Sequence, residues 1–234
     1  MNAAPTTTAL EPAPAQRAGV TGPPTSREPA SLPSGRTHPT LGHYLAFTLA
    51  HPQAALADLV VDPRGRRFAA VLLGIVAVLY SLVEWFLYRQ HYDPVPPPFL
   101  RIPTDQYYAW ATLFCVPAFL GGWLLATGAM QLGARAFGGH GRFEDLATAV
   151  AWAIGVATLF TLVPDFLSSA LGVYATWDPT GHTWVVTSSL YLIAYAVLYS
   201  SALRTVHGLG WRSGYGLGLG GVALYHAFFL LFVR

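Results

Sequence analysis

The run "FAAVLLGIVAVLYSLVEWFLY", residues 68–88, decides the fold. A helix needs about 20 mainly apolar residues to cross a bilayer, and this run supplies them with one charged residue, Glu84. Four more apolar runs follow, at about 107–131, 145–164, 184–203 and 211–232. The composition agrees: 53% of the chain is hydrophobic and 10% charged, where a soluble domain carries about 25% charged residues. The sequence therefore predicts an all-α fold, an integral membrane bundle of five transmembrane helices over residues 63–234. The fifth run is rich in glycine for a helix, but its length and apolar second half favour a span.

Ahead of the bundle, residues 41–62 predict two short amphipathic interfacial helices. Leu41, Tyr44, Leu45, Thr48 and Leu49 share one face; after Pro52, a favourable first helical residue, Ala55, Leu56, Leu59 and Val60 share another. Both pieces are too short to span. The basic cluster Arg64, Arg66 and Arg67 follows, as suits the cytoplasmic surface of an anionic membrane; packing of the two helices on other protein is an equal reading. Residues 1–40 hold eight of the 18 prolines and no aromatic residue. Such a segment buries too little apolar surface to offset its ordering entropy, which predicts a disordered cytoplasmic tail. No apolar stretch lies near Met1, so the first span is expected to direct insertion.

All 13 basic residues are arginine. With the N-terminus inside, Arg64, Arg66, Arg67, Arg135, Arg142, Arg204 and Arg212 flank the spans on the cytoplasmic side, against Arg89, Arg101 and Arg234 outside. Five spans then put the C-terminus outside. Trp85, Tyr88, Tyr92, Tyr107, Tyr108, Trp110, Trp177 and Trp184 gather at the expected outer ends, where amphipathic rings prefer to sit. A net charge of +2 gives no reason to expect nucleic-acid binding. The expected partners are the lipid bilayer and a membrane protein or a second copy of the chain.

Lipid gives helices no hydrophobic reason to associate, so close packing falls to small residues. Ala147, Ala151 and Gly155 recur every fourth position in the third run; Gly214 and Gly218, and Gly216 and Gly220, do so in the fifth. The motifs GxxxxGK[ST], HExxH, CxxC and GxSxG are absent. Cys115 reads as a packing residue. His140 stands without ligand spacing, so no metal or cofactor is expected. One candidate intramembrane polar site remains: Glu84, Asp165 and His226 fall at similar depth near the outer face. Facing one cavity, they would relay protons or bind a cation. Separately, Glu84 would pair with Arg89, Asp165 would cap a loop and His226 would bond a neighbouring helix.

The segment "GARAFGGHGRFEDLATAVAWA", residues 133–153, resembles the hallmark of the bacterial branch of the Yip-domain family (Ypt/Rab-interacting membrane proteins). The turn is Gly138, Gly139, Gly141 and Phe143, followed by Glu144 and Asp145. "HPQAALADLVVDP" (51–63), "TLVPDFL" (161–167) and "LRTVHGLGWRSGYGLGLGG" (203–221) resemble the family's proline-started helix, the proline-bearing end of its third span and its glycine hinge. The resemblance covers roughly residues 45–234. It implies a five-span bundle in the bacterial inner membrane and no activity or catalytic residues. By the residues themselves, the glycines let the chain reverse tightly, and the two acids favour the positive end of the next helix. The turn reads as a capped hairpin or, failing that, as a partner-binding loop.

These readings converge on a non-enzymatic scaffold, assembly factor or accessory subunit. The rival is a small transporter or permeation protein using the polar level of Glu84, Asp165 and His226.

Overall fold

The computed structural model describes residues 39–94, 101–174 and 182–232. The expected tail up to residue 38, the centre of the proline-rich loop and Trp177 lie outside the described residues. Among those described, every regular element is helical. The helices are α1 (Leu41–Ala50), α2 (Pro52–Val61), α3 (Gly65–Arg89), α4 (Tyr107–Ala136), α5 (Phe143–Ala170), α6 (His182–His207) and α7 (Trp211–Phe229).

Local chemistry sets the boundaries. The Thr40 hydroxyl accepts from the His43 N–H at 3.3 Å and caps α1. Pro52 opens α2, and Glu144 and Asp145 occupy the first turn of α5. Three spans stop at a glycine in the left-handed region: Gly138 after α4, Gly172 after α5 and Gly208 after α6.

Helices α3 to α6 are long and apolar enough to cross a membrane. The fifth run forms α7, whose 19 residues span about 28 Å at 1.5 Å rise. Its glycines, Arg212 and His226 keep it less apolar than the other four. It nevertheless lies along α4, from Leu217 beside Gly133 to Phe232 beside Phe114.

The third run was expected to end near Pro164. Instead α5 continues through Pro164 to Ala170. A proline removes one backbone donor, a loss that tertiary contacts can offset within a membrane bundle. Here Phe166 packs on Phe86 of α3, with ring centroids 5.9 Å apart, and Gln90 Nε2 donates to the Ser169 carbonyl at 2.6 Å. Asp165 is therefore a helix residue facing the bundle rather than a loop cap.

The packing order is a closed ring: α3 against α4, α4 against α7, α7 against α6, α6 against α5 and α5 against α3. Within it α5 is the enclosed helix, with every residue from Leu146 to Thr158 buried. Its small residues serve that enclosure. Ala147 and Ala151 are buried, and a Cβ on Gly155 would lie 2.5 Å from Leu72 Cγ of α3. In α7 the two glycine stripes part company. A Cβ on Gly218 would lie 2.6 Å from Ser200 Oγ of α6, and one on Gly214 2.7 Å from Arg204 Cγ, whereas Gly216 and Gly220 face open space.

The two short helices pack on this bundle. The faces that bury are Tyr44 with Thr48, and Ala55, Leu56 and Leu59; Leu49, expected on the first face, is exposed. α2 lies against α6, α5 and α3.

Gly155→Ala is expected to lower the thermal stability of the detergent-solubilised protein by about 1–3 kcal/mol through overpacking against Leu72. Gly74→Ala, on an open face of the adjoining helix, is expected to leave it unchanged. Equal melting temperatures for the two variants would contradict the α3–α5 contact.

Candidate functional site

α3, α5 and α7 begin at one end of the bundle, where α4 and α6 finish. This basic end carries Arg64, Arg66, Arg67, Arg135, Arg142, Arg204 and Arg212. All four ion pairs among the described residues lie here. Arg66 bonds Glu144 and lies 3.9 Å from Asp145, Arg142 bonds Glu144 at 2.9 Å, and Arg64 lies 4.0 Å from Asp62. The cluster expected at the membrane surface is thus divided: Arg66 ties the start of α3 to the start of α5, Arg64 turns to Asp62 and the Phe68 ring, and Arg67 is exposed.

A second set of bonds crosses the same end. The Trp152 indole, fully buried in α5, donates to Thr48 Oγ at 2.9 Å; Thr48 donates to the Tyr44 carbonyl at 2.7 Å. The Tyr44 hydroxyl donates to Asp62 at 3.0 Å, and Asp62 accepts the Arg64 N–H at 2.8 Å. Burial, then the Asp62 carboxylate, raises the Tyr44 hydroxyl pKa above its usual range, so the hydroxyl keeps its proton and donates. This chain anchors α1 to α5 and to the α2–α3 junction.

The glycine turn between α4 and α5 seats on the end of α6. His207 Nδ1 accepts the Gly141 N–H at 3.0 Å, which places the ring proton on Nε2, facing Gln131 Oε1 at 3.0 Å. Gln131 Nε2 and Arg135 both donate to the Gly141 carbonyl, at 3.2 and 3.1 Å. A Cβ on Gly141 would fall 2.4 Å from the Val206 carbonyl oxygen, so the approach requires glycine. Gly139 is buried against the same His207, and Phe143 is exposed. His140 is exposed, and no group of three or more metal-ligating side chains occurs among the described residues. The hairpin is thus locked to α6 by His207, a partner that no sequence motif announced.

The opposite, aromatic end holds the polar residues expected near the outer face. Glu84 on α3 and Asp165 on α5 each sit five residues before the end of parallel helices and are electrostatic neighbours. Glu84 is 2% exposed and makes no ion pair with Arg89; its Oε2 has no hydrogen-bond partner. Cys115 of α4 lies beside Ser81 and Glu84. Tyr92, Tyr108 and Tyr174 sit over the pair. Ring centroids of Tyr92 lie 6.3 Å from Tyr108 and 5.4 Å from Tyr174, and Tyr108 and Tyr174 both lie within electrostatic reach of Glu84.

His226 belongs to a different group. Its Nδ1 donates to the Val222 carbonyl at 2.8 Å, leaving Nε2 for the Tyr191 hydroxyl at 2.9 Å. Tyr195 meets the His226 ring edge-on, with centroids 5.1 Å apart, and bonds Thr158 of α5 at 3.0 Å. Tyr80 stands between the groups, within reach of Glu84 and Asp165 on one side and Tyr191 on the other. The structure thus brings two of the three candidates together and sets the third apart. Tyr191, Tyr195 and Tyr199 recur every fourth residue along one face of α6.

The family model of the Yip1 domain matches residues 47–233, most of the chain and all of the helical bundle from α2 to α7. The chain belongs to the Yip1 family. No curated protein and no solved structure matches it. The family is not known as an enzyme family, and the chain is a multi-pass membrane protein by its helices and its family.

Gly141→Ala is expected to cost about 1–3 kcal/mol by forcing the turn off His207, read as a lower melting temperature. Gly210→Ala, with open space around its Cβ, is expected to melt as the parent does. A Gly141→Ala protein with unchanged melting would show that the turn does not dock on α6.

Proposed function

We propose that this Yip1 protein is a non-enzymatic scaffold, assembly factor or accessory subunit that docks another integral membrane protein at its basic end. The observation that carries this reading is the α1–α2 hairpin. It is fixed to the bundle through Trp152, Asp62 and the 3.4 Å bond from Thr205 Oγ to the Gln53 carbonyl. It nevertheless presents Leu49 and Val61, 64% and 78% exposed. A rigid platform with apolar side chains outward costs little ordering entropy when a partner binds. We further propose that α7 is the fifth span, that the basic end faces the cytoplasm and that the membrane is the bacterial inner membrane. The arginine balance around the spans supports the orientation, and the glycine-turn hallmark supports the bacterial branch.

A second reading, a small permeation protein working at the level of Glu84 and Asp165, is favoured by the partnerless carboxylate oxygen of Glu84.

Removing the whole of α1 and α2 would strip Trp152 of its bond partner, so the docking test leaves the hairpin in place. The double variant Leu49→Ser, Val61→Ser is expected to keep the parent melting temperature and to lose a stoichiometric membrane-protein partner on gentle extraction. Retention of that partner by the variant, or a parent that purifies without one, would refute docking through the hairpin.

A further inference from the structure

Two carboxyl groups inside a membrane bundle need a neutralising partner, because an isolated charge there is strongly disfavoured. Among the described residues Glu84 has no cationic partner within ion-pair distance, and its charged neighbour is another acid, Asp165. The groups facing it from each neighbouring element are neutral hydroxyls and a thiol. They are Tyr80 and Ser81 on its own helix, Cys115 and Tyr108 on α4, and Tyr174 beyond α5. Tyr191 on α6 and Phe229 on α7 complete the wall through Tyr80. His226 does not serve, since both its ring nitrogens are engaged elsewhere. Two like charges at one site cannot both be retained cheaply. No group of three or more His, Cys, Asp or Glu side chains that could hold a metal ion occurs among the described residues. A proton is the occupant that needs no further ligand.

We propose that Glu84 and Asp165 form a proton-binding site in the aromatic end of the bundle. Glu84 is the buried member, and Asp165, half-buried, connects it to the helix ends beneath Tyr174. Protonation converts the partnerless Glu84 oxygen into part of a neutral acid and removes its repulsion with Asp165. The site deepens the permeation reading by naming the ion, yet it stands or falls separately, because a protonatable pair need not conduct.

The test uses the full chain in vesicles of phosphatidylethanolamine and phosphatidylglycerol. Dicyclohexylcarbodiimide, which modifies protonated carboxyls in apolar surroundings, is expected to label Glu84 at neutral pH, as located by mass spectrometry. Labelling should fall as the pH rises, and sodium or calcium should not protect. Asp165→Asn should move the pH midpoint of labelling at Glu84 by about one unit, because the two carboxyls titrate as a pair. Infrared titration of the unaltered protein gives the same answer without a substitution, through the carbonyl band of a protonated carboxyl. Protection by sodium or calcium at fixed pH would replace the proton with a metal ion and overturn the proposal. Absence of both labelling and the carbonyl band at neutral pH would overturn it as well. Labelling of vesicles that show no pH-driven proton flux supports the site and ends the permeation reading.

Discussion

The bilayer interior offers no hydrogen-bond partner, so a polar atom buried there must find one within the protein or remain costly. That constraint falls hardest on α5, which has no open side from Leu146 to Thr158. Its Trp152 indole is met by Thr48, Thr158 by Tyr195 of α6, and the Ala147 carbonyl by Trp123 of α4 at 2.9 Å. Each bond reaches a different element. Satisfying α5 therefore assembles the bundle, and it explains why α1, which looks peripheral in the sequence, is part of the core.

The two ends of the bundle solve their electrostatics differently. At the basic end, charges are paired and exposed: Arg66, Arg142, Glu144 and Asp145 share one cluster whose side chains reach water. Exposed pairs of this kind contribute modestly to stability, and their effect here is to fix where α3 and α5 begin relative to one another. At the aromatic end Glu84 and Asp165 lie among tyrosines and make no ion pair among the described residues. The same chain thus keeps a stapled, solvent-facing end and an enclosed one that holds titratable groups in reserve.

Much of the architecture was legible because membrane helices announce themselves by length and apolarity, as residues 68–88 do. Ala147, Ala151 and Gly155 all fall in the buried stretch of α5. The repeats in α7 could not be told apart, since Gly214 and Gly216 differ only by which side of the helix meets Ser200 and Arg204. Pro164 misled because a helix-breaking signal in water is tolerated inside a bundle. Proximity was invisible: Glu84 and Asp165 are 81 positions apart, and Gly141 and His207 are 66 apart. No local pattern encodes such pairings. The interhelical bonding residues that sequence reasoning missed, His207, Gln131 and Trp152, have ordinary neighbours in the chain and gain meaning only through partners on other elements.

The ring of five helices depends on the contact between α4 and α7. Gly133 and Leu217 meet there: a Cβ on Gly133 would lie 3.6 Å from Leu217 Cγ, close to the reach of a disulfide. The most direct measurement is therefore oxidation of the variant Gly133→Cys, Leu217→Cys, with Cys115→Ala to remove the native thiol, in membranes. Intact-protein mass spectrometry should show an intramolecular disulfide within one chain. Two thiols that both stay free to alkylation after oxidation would contradict the α4–α7 contact and, with it, the ring.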